Sequence, residues 1–223
     1  MSDALTISTP SGPVSGLLDR PTEARALLVL AHGAGAGMRH AFMEAAADAL
    51  AARGVATLRY QFPYMEAGGK RTDRPAVAQA TVRAAVDAGA RACPDLPLLA
   101  GGKSFGGRMT SQAAAADGLA GVRGLIFFGF PLHPPGREGT ERAAHLEEVG
   151  IPMLFLQGTR DTLAELTLLR PVAAALGDRA TLHVVEGADH SFHVLKRSGR
   201  TDEEVLAELG EAAAGWIRRV LEG

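Results

Sequence analysis

Short, continuously apolar runs recur along the chain, and each is followed by glycines and then by a segment of helical periodicity. Apolar residues that follow one another, rather than alternate with polar ones, indicate strands that are buried on both faces. Strands of this kind alternating with helices predict a mostly parallel sheet with helices on both faces. The runs are ALLVLA (26–31), VATLRY (55–60), PLLA (97–100), GLIFFGF (124–130), PMLFL (152–156) and TLHVV (181–185).

The segments between these runs predict the helices, and the chain opens with a different pattern. Before residue 20, LTIST and PVSGLLD flank a Pro-Ser-Gly-Pro turn and predict an antiparallel hairpin. A last helix begins after Thr201, because Thr201 and Glu204 have capping-box spacing before a long apolar stripe. The other helices are predicted near 40–53, 75–91, 105–117 and 163–176.

The segment 131–150 contains three prolines and shows no clear element. It is either a linker between two domains or an excursion over the edge of the sheet with one short helix. Strand and helix patterns resume directly after it, which favours the excursion. We therefore expect a single α/β domain over residues 1–223 with a minimal lid.

Composition and charge exclude several classes of function. The formal net charge is −2 and the basic residues are scattered, so we expect no nucleic-acid partner. Cys93 is the only cysteine, which excludes an internal disulfide and a cysteine-built zinc site. The histidines lack metal-ligand spacing, and we assign neither a metal nor a cofactor.

The cellular location follows from the same composition. The N-terminal residues MSDALTISTPSG lack the basic start and apolar core of a signal peptide. No stretch approaches the roughly 20 apolar residues of a membrane span. With a single cysteine, these features predict a cytoplasmic protein without a membrane partner.

The stretch LLAGGKSFGG (98–107) allows two interpretations, a phosphate-binding loop or a nucleophilic serine. A phosphate loop requires a glycine at the position of Pro97, so that interpretation fails. The nearby HGAGAGMRH is not a dinucleotide-binding motif either, because Met38 replaces its last glycine. Gly102, Ser104 and Gly106 instead match G-x-S-x-G between a strand and a helix, which predicts a serine presented on a tight turn.

A serine hydroxyl needs a base, and the base needs an acid that orients it. Asp161 in QGTRD follows the strand PMLFL, and His190 in EGADHSFH follows the strand TLHVV. The order Ser, Asp, His is that of hydrolases built on a parallel sheet. We therefore expect Ser104, Asp161 and His190 at one edge of the sheet as nucleophile, acid and base.

The motifs GGKSFGGR, QGTRD and GADHSF together resemble the α/β-hydrolase superfamily. The closest similarity is to a compact, poorly characterised branch near the dienelactone hydrolases, with RYQFPYMEAGGKRTDRP as a further signature. That branch also includes relatives of a subunit of a chromatin-associated complex. The resemblance spans essentially the whole chain, and it implies an eight-stranded, mostly parallel sheet with an antiparallel second strand and a triad of Ser104, His190 and Asp161.

Three rival residues lie near these motifs. His193 is an alternative base, although the family pattern favours His190. Asp189 adjoins the base and is more typical of a solvated or capping residue. Asp95 precedes the serine in a proline-flanked loop, which makes it a poor acid.

An oxyanion hole requires two backbone donors beside the nucleophile. The first is the N–H of Phe105, the residue after Ser104. The second comes from the loop after ALLVLA, where the resemblance places it at Ala34. The glycines of that loop keep it thin enough for its amides to face the oxyanion.

Five residues are candidates for binding the substrate. Lys103 and Arg108 flank Ser104, where a structural ion pair is an equally good interpretation of Arg108. Tyr64 and Met65 follow the strand VATLRY at the same edge of the sheet, and their alternative is a packed loop. His133 is a candidate for the opposite wall.

These features predict a serine hydrolase that acts on a small-molecule acyl substrate, namely a small or medium carboxylic ester, thioester or lactone. A non-catalytic binding or scaffold protein that retains the fold is an alternative from another class. Peptidase and cofactor-free haloperoxidase-like activities remain open, because fold and triad do not fix the reaction. The sequence does not specify an oligomeric state.

Overall fold

The computed structural model describes residues 2–223 and contains one eight-stranded sheet with the order β1-β2-β4-β3-β5-β6-β7-β8. Strand β2 pairs antiparallel with both of its neighbours, and the remaining pairs are parallel. The predicted fold class is therefore confirmed. The strands are β1 (Asp3–Thr9), β2 (Gly12–Asp19), β3 (Ala26–Ala31), β4 (Val55–Tyr60), β5 (Leu98–Lys103), β6 (Val122–Phe128), β7 (Met153–Gly158) and β8 (Ala180–Val185).

Burial explains why the strands were visible as apolar runs. Every residue of β3, β4 and β7 is buried, because each of these strands has a neighbour on both sides and helices on both faces. The edge strand β8 is half-buried at five of its six residues. The first pair, β1 and β2, forms the predicted hairpin.

Helices cover both faces of the sheet. On one face, α1 and α6 pack on Leu28, Leu30 and Ile126, and on the other face α3, α4 and α5 pack on Leu27, Val29 and Phe127. The predicted capping box of Thr201 and Glu204 is present. The helices are α1 (Ala41–Ala51), α2 (Pro63–Glu66), α3 (Pro75–Ala92), α4 (Phe105–Asp117), α5 (Leu166–Ala175) and α6 (Asp202–Glu222).

The segment 131–150 connects β6 to β7, which are neighbours in the same sheet. Its one regular element is a 3₁₀ helix, Glu141–Glu148, which packs against α4. Ala143 and Leu146 are buried there. The segment is thus an excursion with one short helix, as the sequence pattern favoured.

A helix that crosses a bilayer must be long and apolar. Among residues 2–223, no helix combines the length and the apolarity that a membrane crossing needs. The longest helix, α6, begins with three acidic residues and carries an arginine in its last turn.

The central strands approach so closely that one position requires glycine. A Cβ atom on Gly101 in β5 would overlap the carbonyl oxygen of Ile126 in β6. Only a shift of β5 or of β6 would relieve this overlap, and β5 leads directly to Ser104.

We expect Gly101→Ala to lower the free energy of unfolding by about 3 kcal/mol, because the added methyl group forces two paired strands apart. Urea unfolding followed by circular dichroism measures this. The matched control is Gly150→Ala, where no atom lies within 4 Å of the added Cβ. Equal stability of the two variants would contradict the close approach.

Candidate active site

Ser104 lies on the sharp turn between β5 and α4, with φ 50° and ψ −113°. This is a strained backbone conformation for a residue with a side chain. Two glycines make the turn sterically possible: a Cβ on Gly102 or on Gly106 would lie 2.6 Å from the carbonyl oxygen of Ala31. The Ser104 N–H donates to the carbonyl oxygen of Phe128 at 3.1 Å, which fixes the turn against β6.

The structure brings Ser104, His190 and Asp161 into one hydrogen-bonded chain. The Ser104 Oγ lies 2.9 Å from the His190 Nε2, and the His190 Nδ1 lies 2.7 Å from the Asp161 Oδ2. The three residues follow β5, β8 and β7, whose carboxyl ends share one edge of the sheet. The His190 side chain retains 23% exposure, whereas that of Asp161 has none.

Protein donors fix the orientation of the Asp161 carboxylate. Its Oδ1 accepts from the Leu163 N–H at 2.8 Å, and its Oδ2 also accepts from the Gln157 side-chain amide. Gln157 is fully buried, and its Oε1 accepts from the Phe130 N–H at 3.0 Å. Gln157 thus links the carboxylate to the chain that follows β6.

The three rival residues have other partners. The His193 Nδ1 lies 2.8 Å from the Asp202 Oδ2, and this bond raises the pKa of the exposed His193 ring. The Asp189 Oδ1 accepts from the backbone N–H groups of Ser191 and His193. Asp95 forms an exposed salt bridge with Arg20.

Two backbone donors near Ser104 are left without a partner within the described residues. Among residues 2–223, neither the Ala34 N–H nor the Phe105 N–H has a hydrogen-bond acceptor. Ala34 lines the cavity in front of Ser104, and Phe105 opens α4 directly after it. Unpaired donors of this kind suit a negatively charged oxygen.

The segment after β4 supports the loop that carries Ala34. The Tyr64 hydroxyl accepts from the Gly35 N–H at 2.8 Å. The Gln61 Oε1 accepts from the Met38 N–H at 3.0 Å. These two bonds hold the loop that carries Ala34 in position beside Ser104.

His32, at the base of the same loop, is fully buried. Its Nε2 accepts from the Phe62 N–H at 3.2 Å, so the Nδ1 carries the proton and donates to the Gly33 carbonyl oxygen at 2.7 Å. Burial lowers the pKa of His32 to about 4, although the bond to Gly33 opposes this change. The ring is therefore a neutral bridge between β3 and the segment after β4.

A cavity of about 310 Å³ lies in front of Ser104 and His190, with mostly apolar walls that include Phe42, Met43 and Leu163. No residue of 131–150 lines it, so among residues 2–223 this segment forms no lid over the cavity. A larger groove of about 490 Å³ lies between the helix Glu141–Glu148 and α5. That groove contains neither the serine nor the histidine.

The five candidate substrate-binding residues differ in their positions. Lys103 lines the cavity, and Tyr64, Met65, Arg108 and His133 do not. His133 is buried with its Nε2 2.6 Å from Glu165, and Met65 packs beside Gly37. Arg108 makes no salt bridge within residues 2–223, and burial lowers its pKa.

The described residues offer no obvious metal site. Within residues 2–223, no group of three or more histidine, cysteine, aspartate or glutamate side chains is arranged to hold an ion. The single cysteine, Cys93, is buried at the end of α3.

Comparison with protein families decides the classification. Residues 24–218 match the model of an alpha/beta hydrolase domain. The chain belongs to the α/β-hydrolase family. The membership of the α/β-hydrolase superfamily that the sequence motifs predict is confirmed.

Three solved structures illustrate how this α/β hydrolase resembles its relatives. An α/β serine hydrolase without a lid from Xanthomonas campestris has 23% identity and a TM-score of 0.75, covering 96% of this chain and 94% of that one. A dienelactone hydrolase from Anabaena variabilis has 20% identity and a TM-score of 0.78, covering 98% and 97%. Est1E from Butyrivibrio proteoclasticus, with ferulic acid bound, has 17% identity and a TM-score of 0.73, covering 98% and 100%.

Sequence reasoning missed several supporting residues of this α/β hydrolase. Gln157 lies within QGTRD, and the only sign of its contact with Asp161 is that the two residues are near each other in this motif. Gln61 and His32 flank the glycine-rich loop through contacts between separate segments. A conspicuous local motif, RYQFPYMEAGG, contained two of the supporting side chains without indicating their partners.

The buried His32 predicts a loss of stability in acid. Its folded pKa of about 4 lies below the ordinary value of 6.5, so the unfolded chain binds more protons between these pH values. The contribution of the neutral His32 ring to the free energy of unfolding is therefore fully present above about pH 6.5 and is lost as the pH falls toward 4. Its size is on the order of 3 kcal/mol.

We expect His32→Gln, whose side-chain oxygen can still accept from the Phe62 N–H, to remove this part of the pH dependence. Urea unfolding at pH 7 and at pH 4.5 measures it. The wild-type protein should lose more stability between the two than the variant. Parallel losses would show that His32 is not the titrating group.

Proposed function

We propose that this α/β hydrolase is a serine hydrolase that cleaves small or medium carboxylic esters, thioesters or lactones. The observation that carries the proposal is the chain from the Ser104 Oγ through His190 to Asp161, with distances of 2.9 and 2.7 Å. A serine on a strained turn, with an oriented imidazole at bonding distance, has the arrangement that nucleophilic catalysis requires.

The first half of the proposed reaction acylates the serine. His190 accepts the Ser104 proton at Nε2 while the Oγ attacks the substrate carbonyl carbon, and Asp161 stabilises the imidazolium from the Nδ1 side. The carbonyl oxygen becomes negatively charged and accepts from the Ala34 and Phe105 N–H groups. The tetrahedral intermediate then collapses, and His190 returns the proton to the departing alcohol or thiol.

The second half releases the acyl group. Water attacks the acyl-serine, His190 accepts its proton, and the same two N–H groups stabilise the second oxyanion. Collapse of this intermediate breaks the bond to the Ser104 Oγ, which recovers its proton from His190. The products are a carboxylic acid and the free enzyme, with all protons accounted for.

The cavity supports the proposed size of substrate. Its volume of about 310 Å³ lies at the lower end of ligand pockets, and its walls are mostly apolar. Uncharged acyl groups of short or medium length suit such a space. The dienelactone hydrolase among the structural relatives supports a lactone in the same role.

A fluorophosphonate probe tests the nucleophile, because it reacts with an activated serine. We expect stoichiometric labelling at Ser104, with mass spectrometry locating the adduct. Ser104→Ala should abolish labelling and reduce hydrolysis of short p-nitrophenyl esters by at least about 10⁴-fold.

Ser111→Ala is the matched control for this experiment. Its hydroxyl also lies 2.7 Å from an imidazole, that of His145, but it is buried and donates to the Arg108 carbonyl oxygen. This variant should keep both labelling and activity. A folded wild-type protein that is neither labelled nor active on esters, lactones or thioesters would favour the scaffold alternative instead.

The support of the oxyanion loop gives a second prediction. Tyr64→Phe removes the acceptor of the Gly35 N–H, so the neighbouring Ala34 donor loses its fixed direction. We expect kcat for a short ester to fall about 10-fold, less than the loss of a whole donor, with KM nearly unchanged.

Tyr60→Phe makes the same chemical change at a control position. The Tyr60 side chain is buried, and no backbone N–H of residues 2–223 donates to its hydroxyl. In steady-state kinetics, Tyr60→Phe should therefore keep the kcat of the wild type, whereas Tyr64→Phe should show the lower value. Equal kcat values for Tyr64→Phe and the wild type would remove Tyr64 from the mechanism.

A further inference from the structure

Lys103 immediately precedes the proposed nucleophile but has no part in the reaction described above. Its Nζ donates to the His190 carbonyl oxygen at 2.5 Å, a contact between residues 87 positions apart. The side chain therefore connects the strand that carries Ser104 to the loop that carries His190.

Two aromatic rings enclose the same ammonium group. The Nζ lies 5.8 Å from the ring centroid of Phe42 and 5.4 Å from that of Phe192. The two rings stack on each other with centroids 5.6 Å apart and planes inclined by 14°. An ammonium near the faces of two rings is held by cation–π attraction, which is stronger where water is excluded.

The loop that Lys103 contacts has a strained backbone of its own. Phe192 has φ 64°, which is uncommon for a residue with a side chain. Its N–H donates to the Asp189 carbonyl oxygen at 2.9 Å, which closes a tight turn around His190. Tertiary contacts must hold such a turn, and Lys103 supplies contacts to both His190 and Phe192.

The ammonium also lies beside the acid and base. A Cβ on Gly129 would be 3.1 Å from the Lys103 Nζ, 3.4 Å from the His190 Nδ1 and 3.5 Å from the Asp161 Oδ2. Asp161, Asp189 and His190 are the titratable groups around the ammonium, and His40 lines the same cavity. The cation thus shares one small space with the His190–Asp161 pair.

This position costs folding free energy. Burial lowers the pKa of Lys103 to about 8, although Asp161 and Asp189 oppose the change. The unfolded chain therefore binds more protons than the folded protein above about pH 8. The ammonium destabilises the fold most fully below that pH, and the cost fades as pH rises. An apolar side chain of similar length would avoid it.

We propose that Lys103 is a positioning residue, whose ammonium holds the His190 loop so that the imidazole stays at bonding distance from Ser104. The inference rests on the proposed serine hydrolase function. This positioning role differs from a substrate-binding role, because the ammonium donates a hydrogen bond to the protein's own backbone at His190.

The first test compares Lys103→Met with the wild-type protein at pH 7. We expect kcat for a short uncharged p-nitrophenyl ester to fall about 10- to 100-fold with KM nearly unchanged, because the imidazole loses its fixed position. The urea midpoint should stay the same or rise, since a buried charge is removed. Lower stability with kcat intact would reveal a merely structural role and overturn the proposal.

The pH profile supplies a readout that a structural role would not change. Wild-type kcat should fall above about pH 8, where the ammonium loses its proton. Lys103→Arg keeps a positive charge at high pH. This variant should retain more activity than Lys103→Met and should lack the alkaline fall. An identical alkaline fall in the wild type and in both variants would exclude Lys103 as its source.

Lys70→Met is the matched control, because it removes an exposed lysine. It should leave kcat, the pH profile and the urea midpoint unchanged. A rise in KM with unchanged kcat in Lys103→Met would make Lys103 a substrate-binding residue and overturn the positioning role.

Two further readouts separate failure of this inference from failure of the proposed function. Fluorophosphonate should label the wild-type protein quickly and Lys103→Met slowly. Equal labelling rates would overturn this inference but leave the proposed serine hydrolase function intact. An unlabelled wild-type protein would overturn both. A crystal structure of Lys103→Met should show the His190 Nε2 beyond hydrogen-bond distance from the Ser104 Oγ. An unchanged distance there would refute the positioning role whatever the activity.

Discussion

The contact between the turn at Ser104 and the end of β3 is the constraint on which the rest of the site depends. At Gly106, an added Cβ would lie 2.6 Å from the carbonyl oxygens of both Ala31 and His32. Helix α4 can begin this close to β3 only without a side chain there. The loop that carries Ala34 starts directly after β3, so the same contact sets the distance between Ser104 and the Ala34 N–H.

Parallel strands then place the remaining groups. Because β5, β7 and β8 end at one edge, short loops suffice to bring Ser104, Asp161 and His190 together. Strand β6 lies between β5 and β7, and its continuation at Gly129 passes beside the acid and the base with φ 68°. A larger residue at this position would displace the groups that the topology assembles.

The sequence predicted those elements whose signal is local. Strands β3 and β4 have the predicted limits, because mostly apolar residues form them and polar or glycine residues flank them. Strand β5 continues to Lys103 and β7 to Gly158, since pairing with neighbours extends a ladder through residues that hydropathy does not mark. The four-residue helix α2 is too short for a visible period.

The contacts of the groups around the proposed triad escaped prediction for a related reason. The bonds of Tyr64 to Gly35 and of Lys103 to His190 join residues 29 and 87 positions apart. A sequence pattern indicates that a lysine lies next to a serine, but not which distant carbonyl it reaches. The sequence therefore placed Lys103 correctly beside Ser104, but it did not indicate that the ammonium binds the His190 carbonyl oxygen.

Buried polar groups indicate which concavity of the surface matters for the proposed chemistry. Burying an imidazole, an amide, a carboxylate and an ammonium costs free energy that apolar residues would not. His32 precedes the loop that carries Ala34, Gln157 donates to the Asp161 carboxylate, and Lys103 donates to the His190 carbonyl oxygen. The larger groove beside α5 is lined instead by alanines, leucines and exposed glutamates, as expected where two surface elements meet imperfectly. Polar groups held at such a cost support the cavity in front of Ser104 as the site of the proposed hydrolysis.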